Sequence, residues 1–291
     1  MKKLLITGCN GQLGRALNEF YRGNNQVELI NTDVSQPNVT ELDITDMEKV
    51  MAMIAEVRPY AIINCAAYTA VDACETQEDM AYRINAIGPR NLSIAAARYG
   101  AKMIQISTDY VFAGDGNNPY REFDVVSPKS AYGSSKLAGE EFVKQFAKES
   151  FIIRTAWLYG DGKNFVKTML GLSEKYEQLT VVADQVGTPT SAKELARAIA
   201  YLVLTENYGT FHGTCEGVCS WADFAEEIFR LAGKMTKIKR VTTAEYAKMN
   251  PQTAPRPAYS VLDNYMLKLT TDFTFAPWEE AIADYMQTLE K

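Results

Sequence analysis

Short runs of apolar residues recur along the first half of the chain, and longer segments with helical spacing separate them. The apolar runs predict strands at residues 4–6, 27–30, 61–63, 103–106 and 151–153. The intervening segments predict helices at residues 12–21, 46–57, 79–98 and 130–146, with Thr45 or Asp46 capping the second. Strands that alternate with helices are typical of βαβ units, which cover both faces of a parallel sheet. The pattern therefore predicts an α/β fold with a Rossmann-like, doubly wound parallel sheet.

After about Trp157 the alternation becomes less regular. Helices are predicted at residues 165–175, 192–204, 222–232 and 277–289, strands at 180–182 and 210–212, and an irregular Pro-rich segment at 256–263. We therefore expect a dinucleotide-binding domain over residues 1–157, rejoined by about 178–206, and a smaller C-terminal, mainly substrate-binding lobe over 158–291. Such a lobe would stand at the carboxyl edge of the sheet, where open α/β sheets bind ligands.

Composition and charge narrow the class of protein. The 291 residues are 47% hydrophobic and 23% charged, which is ordinary for a globular protein. A net charge of −6 and the lack of a long basic run argue against nucleic acid as a partner. No run of about 18 apolar residues predicts a membrane span. The five cysteines have no disulfide-type spacing, so a cytoplasmic, reducing compartment is expected.

A glycine-rich turn follows the first strand. Gly8, Gly11 and Gly14 recur at every third position, and glycine permits both a tight turn and close approach of backbone N–H groups to a pyrophosphate. A lone triplet is a weak signal that also fits a plain strand-to-helix turn. Asp33 follows the second strand, roughly 20 residues further on, where a carboxylate binds ribose hydroxyls. The placement of the glycine triplet and of Asp33 favours a dinucleotide site. Taken alone, Asp33 also fits a plain turn residue.

Tyr132 and Lys136 form a Tyr-x-x-x-Lys pair on a predicted helix. Residues four apart share one helix face, and a nearby ammonium favours the phenolate of a tyrosine. Such a pair suits general acid or base chemistry on a carbonyl or an alcohol. By itself the spacing is usually that of a surface pair, but Ser107 and Thr108 end a strand some 25 residues upstream and offer a hydroxyl to the same oxygen.

Four further strings accompany these motifs. They are NCAAYT at residues 64–69, STDYVF at 107–112, RTAWLYG at 154–160 and DQVGTPT at 184–190. With them the chain resembles the dTDP-4-dehydrorhamnose reductases, a family of extended short-chain dehydrogenase/reductases. The resemblance extends from residue 1 to about Asp263, and the STDYVF string is far more specific than the glycine triplet.

The resemblance implies a nicotinamide cofactor, NADPH or NADH. Its implied binding residues are Gly8, Gly11, Gln12, Leu13 and Gly14, with Asp33 at the adenosine ribose, Asp43 and Ile44 at the adenine, Ala66, Ala67, Tyr68 and Thr69 at the middle of the cofactor, and Tyr132 and Lys136 at its nicotinamide end. Asp33 is unfavourable for NADPH because a carboxylate repels the 2′-phosphate, and Cys9-Asn10 supplies no compensating cation. Arg15 is the nearest cationic residue in the sequence.

The implied reaction reduces the C4 keto group of dTDP-4-dehydro-6-deoxy-L-mannose (dTDP-4-dehydrorhamnose) to dTDP-L-rhamnose. Tyr132 would give a proton to the C4 oxygen as hydride arrives from the nicotinamide. Lys136 would hold the nicotinamide ribose and tune Tyr132. Thr108 and Asp109 would contact the sugar, and Trp157 would lie over it. The implied partner is a small nucleotide sugar.

The sequence does not predict a metal site. Some members of the family dimerise through magnesium held by glutamates, but Arg15 and Ala16 stand beyond the third glycine and Lys193 near the second expected position. We therefore expect a monomer or a weak, metal-independent homodimer. His212 with Cys215 and Cys219 would make three zinc ligands, but a fourth is missing, so packing and turn roles are expected.

Two alternative functions remain open from the sequence. One is a nucleotide-sugar epimerase or dehydratase of the same superfamily, although a dehydratase would need a Glu after Asp109, where Tyr110 stands. The other is a non-catalytic, NADP-binding regulatory subunit that resembles that of methionine adenosyltransferase. Thr108, Tyr132 and Lys136 are compatible with both an enzyme and a regulator, so turnover distinguishes them.

Overall fold

The computed structural model describes residues 1–34, 39–250 and 253–289. Its strands are β1 (Lys2–Thr7), β2 (Val27–Asp33), β3 (Thr40–Glu41), β4 (Ala61–Asn64), β5 (Lys102–Thr108), β6 (Ser150–Thr155), β7 (Leu158–Tyr159), β8 (Gln178–Val182), β9 (Val186–Gly187), β10 (Thr190–Ser191), β11 (Gly209–His212), β12 (Cys219–Ser220), β13 (Lys237–Val241) and β14 (Tyr259–Ser260). Seven of them form the main sheet in the order β11-β6-β5-β4-β1-β2-β3, and every neighbouring pair is parallel. The predicted doubly wound parallel sheet is confirmed.

Helices cover the sheet on both faces. They are α1 (Gln12–Phe20), α2 (Met47–Val57), α3 (Val71–Cys74), α4 (Glu78–Tyr82), α5 (Gly88–Tyr99), α6 (Ala131–Phe146), α7 (Phe165–Ser173), α8 (Ala192–Leu202), α9 (Trp221–Leu231), α10 (Thr243–Met249), α11 (Tyr265–Thr270) and α12 (Trp278–Leu289). Successive side chains of a strand point to opposite faces. Accordingly Leu4 and Ile6 of β1 join one buried cluster with α1 and α8, whereas Leu5 joins another with α2, α5 and α6.

The helix predicted over residues 79–98 is interrupted. A π-helical turn at Arg83–Ile87 separates α4 from α5. Pro89 stands in the first turn of α5 and has no N–H to bond the Asn85 carbonyl, which favours a widened turn at this point. Gly139 of α6 lies against that carbonyl, since a Cβ on Gly139 would come within 2.2 Å of it. The hydrophobic spacing alone could not reveal this contact.

The later half contributes one strand to the main sheet and builds a second core. β11, predicted at residues 210–212, pairs with β6 at the sheet edge. The remaining strands form small sheets, β10-β7, β12-β9-β14 and β13-β8. The second core gathers around Phe224, Ile228, Trp278 and Ile282 of α9 and α12. Within the Pro-rich segment, which was expected to be irregular, β14 pairs with β9.

Several short elements were not predicted because they contain too few residues to show a hydrophobic period. α3, α11 and β3 are examples, each of six residues or fewer. α10 carries a usable signal, since Thr242 and Glu245 form a capping box at its start. Asp46 caps α2, as predicted, by accepting from the backbone N–H groups of Glu48 and Lys49. Among the described helices, none has the length and apolar character needed to cross a bilayer.

Candidate active site

Strand ends of the main sheet surround a cavity of about 430 Å³. β1, β4, β5 and β6 lie side by side and run parallel, so the segments that follow them meet at one edge. The lining residues include Gly11, Gln12, Leu13, Ala66, Ala67, Thr69, Thr108, Asp109, Tyr132, Lys136 and Trp157. Residues predicted for three separate roles therefore share one cavity.

The glycine turn brings its backbone close to the cavity. Gly8 has a φ of +64°, and a Cβ there would lie 2.7 Å from the amide nitrogen of Ala66. A Cβ on Gly14 would lie 2.5 Å from the Cα of Cys9. These two positions therefore require glycine, as the motif predicted.

The start of α1 is suited to an anion. Gly11 is its N-cap, no side chain in the described residues caps the helix, and its first turn holds no acidic residue. N–H groups at such a helix start bind phosphate. The buried Oε1 atom of Gln12 also has no hydrogen-bond partner within the described part of the chain. These features fit the pyrophosphate of a dinucleotide.

The residues predicted for the adenosine half lie outside the cavity lining, and Asp33 contacts the glycine turn. Asp33 accepts hydrogen bonds from the backbone N–H of Asn10 (2.9 Å) and of Val34 (2.8 Å). Asp43 accepts from the N–H of Thr45 at 2.9 Å. Ile44 is buried against Gly88. Their contacts with an adenosine stay predictions.

The loop after β4 is fixed by Asn85, which sequence reasoning missed. Asn85 accepts from the Tyr68 N–H at 2.8 Å and donates to the Tyr68 carbonyl at 3.0 Å and to Ser135 Oγ of α6 at 3.1 Å. The Tyr68 hydroxyl donates to Gln77 Oε1 at 2.9 Å, and Tyr68 is not among the residues that line the cavity. Ala66, Ala67 and Thr69 line the cavity beside it. The π-helical turn that contains Asn85 is therefore what holds this loop.

Tyr132 and Lys136 project from the first turns of α6. Ser130 caps the helix, and Gly133 packs against the Tyr110 carbonyl, 2.2 Å from a Cβ built at that glycine. This packing sets Tyr132 edge-to-face on Tyr110, with ring centroids 5.4 Å apart. The Lys136 ammonium donates to the Ile106 carbonyl of β5 at 2.5 Å. The predicted pair does share one face and lies at the end of β5.

Burial dominates the electrostatics of this pair. It raises the pKa of Tyr132 above the usual phenol value, the Asp109 carboxylate adds to that rise, and a hydrogen bond with Thr108 partly offsets it. Burial also lowers the pKa of Lys136 to about 8, against the opposing charge of Glu140 and the Cys65 thiol. In the free protein the Lys136 ammonium bonds the Ile106 carbonyl, and its expected tuning of Tyr132 stays a prediction. Because its pKa is raised, Tyr132 is protonated at neutral pH.

Asp109 is a buried carboxyl held by two hydroxyl groups. Thr108 Oγ1 donates to its Oδ1 at 2.9 Å, and Ser260 Oγ donates to its Oδ2 at 2.5 Å. Burial raises the pKa of Asp109 to about 6, although both hydrogen bonds lower it. Ser260, which lies on β14, was missed because nothing in the sequence indicates that β14 pairs with β9. Asp109 thus joins the end of β5 to the later half of the chain.

Trp157 adopts a strained backbone conformation at the opposite side of the cavity. Its φ is +49°, unusual for a residue with a side chain. Its indole stacks on that of Trp221 with centroids 3.6 Å apart and planes at 12°. A Cβ on Gly187 would lie 2.6 Å from the Trp157 ring. The sequence analysis assigned no role to Trp221 or to Gly187, which lies in the DQVGTPT string, and together they fix the Trp157 indole.

Possible metal ligands are dispersed. Within the described ranges, no group of three or more His, Cys, Asp or Glu side chains is arranged to hold a metal ion. Arg15 pairs with Asp161 at 2.8 Å, and Lys193 pairs with Asp284 at 3.3 Å. His212 Nδ1 lies 3.0 Å from the Asp263 carbonyl. All five cysteines are free.

A glycine turn at the carboxyl edge of a doubly wound sheet, with a Tyr-x-x-x-Lys pair in the adjoining cavity, is the arrangement of the extended short-chain dehydrogenase/reductases. The model of the family described as RmlD substrate binding domain matches residues 1–291, and the chain belongs to that family. The resemblance inferred from the motifs is thus confirmed.

Individual relatives match the chain over its whole length. A dTDP-4-dehydrorhamnose reductase from Clostridium acetobutylicum has a solved structure that is 53% identical, covers 99% of this chain and 100% of its own, and superposes with a TM-score of 0.94. The reductase of the same name from Bacillus anthracis, solved with NADP, is 42% identical over 99% of both chains, with a TM-score of 0.92. The spore coat polysaccharide biosynthesis protein SpsK of Bacillus subtilis is 41% identical over 99% of this chain and 98% of its own.

Proposed function

We propose that the protein reduces the C4 keto group of dTDP-4-dehydrorhamnose to dTDP-L-rhamnose with NADPH or NADH, and that Tyr132 donates the proton. The observation that carries the proposal is the shared cavity in which Tyr132, Lys136 and Thr108 face the glycine turn. The names of the Clostridium acetobutylicum and Bacillus anthracis relatives support the substrate, and the NADP in the second structure supports the cofactor.

The backbone around the glycine turn would hold the cofactor. Gln12 and Leu13 present the free N–H groups of α1 to the pyrophosphate, whereas the Gly11 N–H donates to the Gly8 carbonyl at 3.0 Å. Asp33 lies near enough to Asn10 to meet the adenosine ribose. Ala66 and Ala67 line the route towards Tyr132. The bound cofactor supplies a hydride to the C4 carbon. A carboxylate at Asp33 does not exclude the 2′-phosphate of NADPH, because repulsion near solvent is weak.

Tyr132 would supply the proton that reduction of a ketone requires. Its raised pKa keeps the phenol protonated at neutral pH in the free protein. As negative charge develops on the C4 oxygen, the phenol donates to it and the Lys136 ammonium stabilises the phenolate that is left. Thr108 would bond the same oxygen, Asp109 would contact the sugar, and Trp157 would cover the sugar face.

We also propose that two parts of the chain bind different ligands, as expected from the sequence. Residues 1–157 and about 178–206 would bind the cofactor, and the rest of 158–291 would bind the nucleotide sugar. The stack of Trp157 on Trp221 supports this, because it connects the cavity with α9. We further propose a cytoplasmic monomer or weak homodimer without a metal bridge, since cations at Arg15 and Lys193 repel magnesium.

Turnover by the purified chain tests the proposal. NADPH and NADH are offered with a panel of dTDP-4-keto sugars, and oxidation is followed by loss of the dihydronicotinamide absorbance. We expect oxidation with dTDP-4-dehydrorhamnose and dTDP-L-rhamnose as the product by NMR. Cofactor binding without oxidation of either cofactor by any sugar would contradict the proposal and favour a regulatory subunit.

A further inference from the structure

The face of α6 that carries Tyr132 and Lys136 continues to a third ionisable residue. Glu140 follows Lys136 by four positions and therefore lies on the same face one turn deeper. Its side chain is fully buried, whereas that of its neighbour Glu141 is 62% exposed. A buried carboxylate is costly unless it is paired and hydrogen-bonded.

Every oxygen of the Glu140 carboxylate has a partner. Arg154 of β6 donates its Nε to Oε1 at 2.9 Å and its Nη2 to Oε2 at 2.7 Å. Ser107 Oγ donates to Oε1 at 2.5 Å. Lys144 approaches Oε2 at 3.9 Å from the surface. This network joins α6 to two adjacent strands of the main sheet.

Ser107 connects Glu140 to the reacting groups. It stands between Ile106, whose carbonyl accepts from Lys136, and Thr108, which lines the cavity together with Tyr132. A shift of α6 relative to β5 would disturb the Lys136 contact and move Tyr132 relative to Thr108. The Glu140–Ser107 hydrogen bond holds the residue between them.

Glu140 lies one helical turn from Lys136, and its charge acts on the Lys136 ammonium. The other titratable side chains that line the cavity with Lys136 are Cys65, which follows β4, Asp109 and Tyr110, which follow β5, and Tyr132 of α6. β5 contributes only the neutral Ile106 carbonyl and Ser107 hydroxyl. Burial lowers the pKa of Lys136, and the Glu140 charge opposes that effect. Arg154 faces the carboxylate from the β6 side.

We propose that Glu140 is a positioning residue for the proposed reduction: its carboxylate holds α6 against the end of β5 through Ser107 and keeps the Lys136 ammonium charged inside the cavity. The proposal rests on the proposed function, in which Lys136 acts as a cation beside Tyr132 and the cofactor ribose. A purely structural ion pair would also be destabilised by loss of one partner, so stability alone does not distinguish the two roles.

The test is the pH dependence of cofactor binding and of kcat in Glu140→Gln, with Glu141→Gln as the control on the exposed face. Loss of the anion lowers the pKa of Lys136, so the ammonium is lost at a lower pH. We expect the alkaline limb of NADPH affinity and of kcat to move down by roughly one pH unit. Glu141→Gln should leave both limbs in place. Because binding is measured directly, the result stands whether or not the chain turns over the expected sugar.

A second variant separates the positioning role from stability. Glu140→Gln alone leaves the Arg154 charge buried, whereas the double variant Glu140→Gln with Arg154→Met removes both charges. We expect the double variant to recover thermal stability and to keep the lowered alkaline limb. The proposal would be overturned if the alkaline limb of NADPH affinity and kcat were unchanged in Glu140→Gln. It would also be overturned if that limb returned to the wild-type position in the double variant.

Discussion

Two walls of the active-site cavity are built in different ways. The glycine wall consists of Gly11, Gln12 and Leu13 with Ala66 and Ala67, and it presents mainly backbone groups from two short segments. The tryptophan wall, Thr155 to Leu158, presents side chains, and its position depends on residues far along the chain. Trp157 needs both Gly187 and Trp221 behind it.

The difference follows from what each wall would bind under the proposed function, the cofactor pyrophosphate at the glycine wall and the sugar at the tryptophan wall. A pyrophosphate is recognised by N–H groups that any sequence provides, so the turn needs only room for the backbone. A sugar and a reacting carbonyl need particular side chains at particular angles, and those are set by packing. The glycine wall should consequently be sensitive to any added Cβ, and the tryptophan wall to loss of distant supports.

The largest effect is expected at Tyr132, which lies between the two walls. Tyr132→Phe keeps the ring against Tyr110 but removes the transferable proton. We expect kcat to fall by about 10²–10⁴ while the Kd for NADPH stays within about threefold of the wild-type value. Steady-state kinetics and fluorescence titration measure the two. A kcat close to that of the wild type would place the proton donor elsewhere.

A methyl group added to a glycine behind one wall should change the binding of only one ligand. Gly8→Ala combines a φ of +64° with a Cβ 2.7 Å from Ala66, and we expect the cofactor Kd to rise roughly 100-fold. Gly187→Ala displaces Trp157, and we expect the sugar KM to rise roughly tenfold with an unchanged cofactor Kd.

Gly171 offers the matched control, since nothing lies within 4 Å of a Cβ at that position. Gly171→Ala should leave the Kd for cofactor and the KM for sugar unchanged. If Gly8→Ala and Gly187→Ala altered the same constant, the two walls would not act separately.

The buried carboxyl of Asp109 should make stability depend on pH. Its pKa is raised from 3.8 to about 6, so the folded state binds an extra proton between those values. The free energy of unfolding should therefore fall as pH rises through this window, by up to about 3 kcal/mol. Urea unfolding at several pH values measures the slope. Asp109→Asn should flatten it, and an unchanged slope would assign the dependence to other groups.

A smaller effect is expected when Asp33 is substituted, and it concerns the preference between NADPH and NADH. Asp33→Asn keeps an acceptor for the Asn10 and Val34 amides but removes the charge near the ribose. We expect the wild type to use both NADPH and NADH with less than about 100-fold discrimination, and the variant to favour NADPH about tenfold more. The ratio of kcat/KM for the two cofactors measures this. An unaltered ratio would mean that Asp33 does not face the 2′ position.

The smallest effect is expected from chelation. Arg15 and Lys193 are engaged with Asp161 and Asp284, and we expect EDTA to leave kcat and the molar mass in solution unchanged. Light scattering after size exclusion measures the mass with and without the chelator. A dimer that dissociates in EDTA and re-forms with Mg²⁺ would contradict the expectation.

The two walls also differ in how much of their structure the sequence predicts, because one depends on local sequence and the other on tertiary contacts. The β1 strand, the turn at Gly8 and the helix after it are encoded by neighbouring residues, so spacing was sufficient. Tyr132 and Lys136 lie four residues apart on α6, so their spacing predicted the pair equally well. The role of Asn85 could not be predicted in this way, because it arises where a π-helical turn meets a loop 17 residues away.

Ser260 and Trp221 show the same limit in the later half of the chain. Each reaches the cavity through a tertiary contact, Ser260 through Asp109 and Trp221 through Trp157. Hydrophobic spacing reports which face of an element is buried but not which element covers it. The rise of the Tyr132 pKa could not be predicted for a similar reason, since spacing reveals the neighbouring ammonium but not the depth of burial.

The place of β11 at the edge of the main sheet has a consequence for synthesis on the ribosome. Until Gly209–His212 has emerged, β6 has no neighbour on its outer side, and its apolar residues Phe151 to Ile153 belong to an open edge. Such edges readily pair with other chains. α8, which packs against α1, also arrives late. A nascent chain paused near residue 157 would therefore be prone to aggregate, and a truncation there would not yield an independent cofactor-binding fragment.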